Sequence, residues 1–597
     1  MPIPALLLVL ATLLPLASFG LLLLIGKRMG DPLAGWVATA FAAGSFALSM
    51  WAMISWYNAG QLAGMTWGPG DKPIELTFKW LPIGPPITPD RPGLFQLNLH
   101  IDTLTIAMFN TITLVVVLGH AFSVRYMRDD KRFARFFISL QLLYFSMLAF
   151  VLGGNLLSIF VFWYLIALGG YLLVNRLDEQ PTRGAAVTSF VVKRIGDAGF
   201  LLGMAILFHD LGNATILQLD RWLWPAGNPA MHLPPASPIS IAALTVAGLA
   251  LFCGAACRSA LFPLHFWLPA VSRSPAPAAA IVQCVTLTAP GLYLIARIYP
   301  ILTPTAKLCI AVVGLMSLVI GAGAALFQRE LGRILAYSTV SQFGLMFMAI
   351  GIGSWIGGLF HLLTHAFFKS LLILSAGSVI HAAHGHQDLT QFGGLMRKMP
   401  LAAACFAIGL LAMAGAPFTC GYYSNEMILA HAGAFADLSA RATHDPLYWC
   451  FFVIPAAISA VTALYMTRCW MLLFWGKPRN AQIYEKSRER TGFWFPLFVL
   501  AVVSLIGGSR VLEIKQFVAQ AIVETENYCN AVGEPSAPPF GGFANTWPIT
   551  ADRTSDAVQA LEDTGQKLFD RYAIWPFGVG IALGFVLYCR RSPVKEP

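Results

Sequence analysis

Three proton-carrying side chains, His361, His365 and Lys369, recur every four residues inside the otherwise largely apolar stretch from Phe360 to His386. At about 3.6 residues per turn they form one drifting stripe about 12 Å long on a single helix. An ionisable group at the centre of a membrane helix costs on the order of 2.5–3.5 kcal/mol on insertion scales, so such a cluster points to function by default. The chemistry available to it is proton or ion handling. The bland alternative is a pair of histidines satisfied by neighbouring helices, with Lys369 snorkelling to an interface; the spacing and the summed cost favour the stripe as a working site.

The rest of the sequence supplies helices to hold that stripe. The chain has 597 residues, of which 57% are hydrophobic and only 11% charged, and its mean hydropathy is +0.67. A soluble protein carries about 25% charged residues, so most of this chain lies in lipid. The net charge of +10 sits in short loops rather than in one patch, which reads as membrane topology and excludes nucleic acid as a partner. No C-x-x-C pair occurs, and Cys253 and Cys257 lie four apart in an apolar run, as packing residues rather than metal or iron–sulfur ligands. No metal centre is expected. His381, His384 and His386 sit at a helix end, where dipole partnership is the simpler reading.

Apolar runs of about 20 residues recur from end to end. About fifteen are counted, centred near residues 15, 45, 113, 143, 165, 198, 250, 288, 317, 341, 368, 410, 461, 500 and 582. The fold class is therefore all-α and polytopic. The seventh run breaks between Arg258 and Pro263 and resumes at Leu264 to Trp267, and the twelfth breaks at Ala416-Pro417. Broken helices free carbonyls that only protein or water can satisfy at membrane depth, and so suggest an internal pathway. Basic loops at Lys27-Arg28, Arg125 to Arg135, Arg176 to Arg183, Arg329 to Arg333, Arg397-Lys398, Lys477 to Arg490 and Arg590-Arg591 place the N-terminus outside and the C-terminus inside. The stretch 509–573 does not span; Val511 to Glu524 and Ser555 to Tyr572 read as amphipathic helices, interfacial or packed on the protein surface. Asp102 and Glu330 read as caps or interfacial pairs. The leading run Pro4 to Ile25 is too long for a signal peptide and opens the series of spans. No dinucleotide fingerprint, P-loop or nucleophile elbow is present, so a redox cofactor on this chain is not expected.

Eight segments in order, LNLHIDTLTIAMF (97–109), RYMRDDKRFARFF (125–137), FVVKRIGDAGFLLG (190–203), RSALFPLHFWLP (258–269), GLYLIAR (291–297), RILAYSTVSQFGLMF (333–347), HLLTHAFFK (361–369) and GGLMRK (393–398), make the chain resemble the antiporter-like subunits of respiratory complex I, closest to subunit L (chain 5 in mitochondria). The likeness is specific over about 97–430 and weak beyond about 480. It implies two inverted five-helix repeats, each with one broken helix. The implied division is 1–125 for N-terminal spans and an outer loop, 126–302 and 303–476 for the repeats, and 477–597 for C-terminal spans with the linker 509–573. It also implies that His361, His365 and Lys369 form the central proton relay and that Arg194 and Asp197 form an ion pair.

Other family positions are altered. The usual Trp-Glu pair reads Trp163-Tyr164, its lysine partner is Arg258, the eighth-helix histidine is Gln283, and the terminal lysine is Asn425 beside Glu426. Arginine does not release its proton at any pH a protein meets, so Arg258 positions charge without titrating. One reading keeps conduction through Glu426, Lys369, His365 and His361; the other is a structural paralogue that has lost it. The resemblance implies a proton-translocating subunit of an NADH–quinone oxidoreductase-type complex in a bacterial inner membrane. NADH, FMN, iron–sulfur clusters and quinone would then sit on partner subunits. The alternatives are a non-redox subunit, of a cation/proton antiporter or an inorganic-carbon uptake complex, and an assembly scaffold.

Overall fold

In the computed structural model the described residues are 1–62, 73–79, 96–175, 180–211, 239–272, 274–508, 514–521 and 563–589. The chain is a bundle of apolar helices: α1 Ile3–Met29, α2 Leu33–Leu62, α3 Thr103–Tyr126, α4 Phe133–Val151, α5 Leu156–Val174, α6 Gln180–Leu211, α7 Ile241–Arg258 and α8 Trp267–Val271. There follow α9 Ala276–Arg297, α10 Pro304–Phe327, α11 Leu331–Gly351, α12 Trp355–Ala382, α13 Pro400–Ala414, α14 Cys420–Thr443, α15 Cys450–Phe474, α16 Trp494–Ile506 and α17 Asp563–Cys589. Each apolar centre read from the sequence falls within one of these helices. Among the described residues twelve helices are long and apolar enough to cross a membrane, and α13 is a shorter apolar helix.

Both expected interruptions are present. After α7 ends at Arg258, eight non-helical residues precede α8, and protein groups meet the freed backbone. The Phe262 amide donates to Ser317 Oγ at 2.9 Å, Ser259 Oγ donates to the Thr288 carbonyl at 2.7 Å, and Trp267 Nε1 donates to the Cys257 carbonyl at 3.0 Å. That arrangement is what non-helical backbone requires at membrane depth. Between α13 and α14 the chain turns at Gly415, whose φ of 78° lies in the left-handed region that glycine adopts without a Cβ penalty.

Two features depart from the sequence reading. A two-stranded antiparallel ladder, β1 Ile74–Lys79 with β2 Gln96–Ile101, pairs Leu76 with Leu99 and Ile74 with Ile101. Leu97, Leu99 and Ile101 alternate with polar residues, a period-two pattern hidden inside a Pro-rich loop. Strand β2 is also bonded to the α4–α5 turn, through His100 N to the Leu152 carbonyl (2.9 Å) and Gly154 N to the Asn98 carbonyl (2.8 Å). Secondly, residues 563–573 run directly into the last helix. Phe569 and Ala573 are buried there with Leu429, Ala436 and Phe452, so this part of the linker packs on α14 and α15. Residues 514–521 are helical and bury Phe517, Val518 and Ala521. The remainder of 509–573, like 176–179 and Arg590-Arg591, lies outside the described residues.

Helices α10 and α11 cross through glycines. A Cβ on Gly344 would meet the Leu318 amide nitrogen and the Gly314 carbonyl, and one on Gly314 would meet the Met348 amide. Helix pairs in lipid associate through this kind of close backbone approach. Gly344→Val is expected to destabilise the protein by at least about 1–3 kcal/mol through overpacking. A melting temperature in detergent equal to that of the parent would contradict this.

Candidate functional site

The stripe lies on α12, packed against α11, α13, α14 and α16, and His361, His365 and Lys369 are all fully buried. His361 is held at both ring nitrogens. Nε2 lies 2.8 Å from Gln342 Oε1 on α11 and Nδ1 lies 2.8 Å from Ser424 Oγ, at the start of α14. With an amide oxygen on one side, Nε2 donates and Nδ1 accepts from the serine hydroxyl. Thr364 Oγ1 also donates to Ser424 Oγ at 3.0 Å.

One turn on, His365 is in the opposite situation. Its ring lies between Phe343 and Phe368, with centroids 5.5 and 5.3 Å away in edge-to-face geometry, and neither nitrogen has a hydrogen-bond partner among the described residues. The His361 and His365 rings are 6.3 Å apart. Lys369 Nζ donates to Ser338 Oγ on α11 at 2.5 Å and lies 4.0 Å from Met413 Sδ, next to the second helix break. Bare burial of such groups costs several kcal/mol in principle, which makes three of them in sequence a feature the packing must support.

Gln283 is buried in a π-helical turn of α9, Val282–Thr286, and its Oε1 accepts from Thr339 Oγ1 at 3.3 Å. Such single wide turns mark functional positions. Gln283 lines a cavity of about 30 Å3 together with Tyr126, Ser272, Ser274, Leu335 and Gln387, enough room for a water molecule. Glu426 is half-buried and accepts from Gln566 Nε2 of α17 at 2.9 Å. Ser424, two residues earlier, is the group on α14 that reaches His361. Asn425 packs against the turn glycine Gly415.

A second cluster joins α5, α6 and α7. Arg194 Nη2 pairs with Asp197 Oδ2 at 2.8 Å, and Trp163 Nε1 donates to Asp197 Oδ1 at 2.8 Å. Arg258 Nη2 donates to the Trp163 carbonyl at 2.5 Å, its guanidinium 4.4 Å from the centre of that indole. Trp163 thus links the two charged groups. Tyr164 is 42% exposed and lies under the Arg194 guanidinium at 4.2 Å. Sequence reasoning passed over Gln342, Ser338 and, in this cluster, Lys193. Lys193 stands beside Arg194 in an apolar run, the same signal that singled out Lys369.

A mostly helical chain with two interrupted helices and a buried line of ionisable side chains defines an antiporter-like polytopic membrane protein. Residues 153–439 match the family described as "NADH:quinone oxidoreductase/Mrp antiporter, TM", and residues 94–137 match "NADH-Ubiquinone oxidoreductase (complex I), chain 5 N-terminus". NADH-quinone oxidoreductase subunit L of Pseudomonas aeruginosa is 34% identical over 510 residues, covering 85% of this chain and 77% of that protein. Subunit L of Escherichia coli K12 is 32% identical over 496 residues, covering 81% and 75%. The chain belongs to the subunit L/chain 5 family of NADH-quinone oxidoreductases and is an integral membrane protein. Its fold is shared with a chain of an archaeal membrane-bound sulfane sulfur reductase complex (TM-score 0.72, 21% identity, covering 87% of this chain and 99% of that one). The Mrp complex from Dietzia sp. shares it too (TM-score 0.69, 21% identity, 95% and 55%).

Proposed function

We propose that this chain is the antiporter-like, proton-translocating membrane subunit of an NADH–quinone oxidoreductase-type complex. NADH, FMN, iron–sulfur clusters and quinone reside on its partner subunits. The observation that carries the reading is the stripe on α12. Lys369 has a hydroxyl partner and, among the described residues, no carboxylate in ion-pair reach. His365 has two unmatched nitrogens, and His361 is held between Gln342 and Ser424. A proton moves from Lys369 through His365 to His361, whose ring centre lies 6.3 Å from that of His365. Glu426 serves as a terminal station. Arg194, Asp197 and Arg258 supply fixed charge in the first half of the chain, where Tyr164 and Arg258 replace the titrating pair. Gln283 orders water without titrating, and Asn425 supports the second break.

The two repeats are 126–302 and 303–476, each holding one interrupted helix, flanked by 1–125 and 477–597. The basic loops support an N-terminus outside and a C-terminus inside a bacterial inner membrane. A second reading, a non-redox transporter subunit, is favoured by the replacement of the Glu–Lys pair by Tyr164 and Arg258. Purifying the tagged chain from its native membrane with its partners separates the two. Recovery of an assembly that oxidises NADH with quinone is the expected result. Recovery of a soluble zinc protein, or of cation exchangers without NADH oxidation, would overturn it.

A further inference from the structure

We infer that Lys193 is the proton-exchanging residue of the first half of the chain. This inference rests on the reading that the chain moves protons. Lys193 is 3% exposed near the middle of α6. Its Nζ donates to Ser189 Oγ at 2.8 Å and lies 3.9 Å from the Trp267 ring centre on α8. These two partners serve both protonation states. The indole face stabilises an ammonium, and a serine hydroxyl accepts from an ammonium or donates to a neutral amine.

The charged surroundings make Lys193 the group that exchanges. On its own helix it is coupled to Arg194 and Asp197, and across to α7 to Arg258; Tyr171 of α5 lines the crevice beside it. Among the described residues, three cationic side chains therefore share one carboxylate here. Two of them are guanidinium groups, which stay charged. Lys193 alone among the three loads and unloads a proton, the step that Arg258 cannot perform.

Lys193 and Ser189 line a cleft with Gly170, Tyr171, Val174 and Ala186, which lie along the C-terminal half of α5 and the N-terminal half of α6. Asn175, the residue after Val174, keeps its buried Oδ1 without a hydrogen-bond partner among the described residues.

The test is proton flux in proteoliposomes holding the native assembly, under its own driving reaction, with Lys369→Met alongside as a control. Lys193→Arg, which keeps the charge but not the exchange, and Lys193→Met are each expected to lower flux at least about 10-fold. Lys193→His is expected to retain flux with its pH profile displaced to the acid side, since imidazole titrates about four units below an amine. A purely structural role would not move that profile. Should the Lys193 variants fail to co-purify with their partners, Ser189→Ala decides. A several-fold loss supports the inference, and unchanged flux overturns it. Flux in Lys193→Arg within about twofold of wild type, with Lys369→Met inactive, overturns the role of Lys193 and leaves the proposed function standing. Flux unaffected by either lysine would instead sink the function itself.

Discussion

Lys369→Met should abolish proton flux, by about 100-fold or more, while the protein still assembles with its partners. Methionine matches lysine in length and lies among groups that tolerate it, since Met413 Sδ already borders the site at 4.0 Å. What the substitution removes is the exchangeable proton between Ser338 Oγ and the His365 ring. Lys369→Arg separates charge from exchange: it keeps a cation at the same depth but holds its proton permanently, and is expected to be as inactive as Lys369→Met. Both are measured in proteoliposomes under the same driving reaction, with co-purification as the check on assembly. Unchanged flux in either variant would mean that other subunits do the pumping and that this chain keeps the fold as architecture.

Asp102→Asn should destabilise the protein by about 3–5 kcal/mol, the typical consequence of stripping the counter-charge from a buried ion. Asp102 caps α3, accepting from the Thr105 amide at 2.7 Å. Its two carboxylate oxygens also receive Nη1 and Nη2 of Arg297, at the far end of α9. Arg297 is 7% exposed and Asp102 1%, and the guanidinium also touches Tyr293 and Thr105 hydroxyls. Asparagine keeps the shape and leaves the guanidinium without its anion.

The same pair sets an acid limit. Burial alone would raise the Asp102 carboxyl, but the Arg297 guanidinium, with His100 beside it, holds it well below the usual carboxylate range. A folded-state value below the unfolded one means that the stabilisation is complete above the unfolded value, about pH 4, and is lost as pH falls through the folded value. Melting temperatures of the parent in detergent should therefore decline below about pH 4, and the Asp102→Asn variant should show a shallower acid decline. A parallel decline in both would refute the assignment.

What the sequence made legible follows from what lipid enforces. Twenty-residue apolar runs mark helices because unsatisfied backbone is costly there, and prolines at 263 and 417 mark interruptions for the same reason. His361, His365 and Lys369 stand out because charge is rare in such runs. Partnerships across helices were not legible. That Ser424 rather than Glu426 reaches His361 depends on the rotation of α14 after its break. That Trp163 joins Asp197 to Arg258 depends on how α5, α6 and α7 meet. Lys193 carried a readable signal, but its place beside Arg194 in a recognisable motif drew attention to the ion pair. The β1–β2 ladder escaped because strand alternation over six residues is weak evidence when its partner lies some twenty residues away.

Lys369 is the fifteenth residue of the 28-residue helix α12, close to half depth. A proton that has reached it from either face has crossed only about half of the electrical drop, or roughly 1 kcal/mol per 100 mV. In the proposed relay, loading and unloading of this amine would divide the membrane voltage between two shorter steps. An energised membrane would then bias which face fills the site first, so that the polarity of the bilayer acts directly on this buried position.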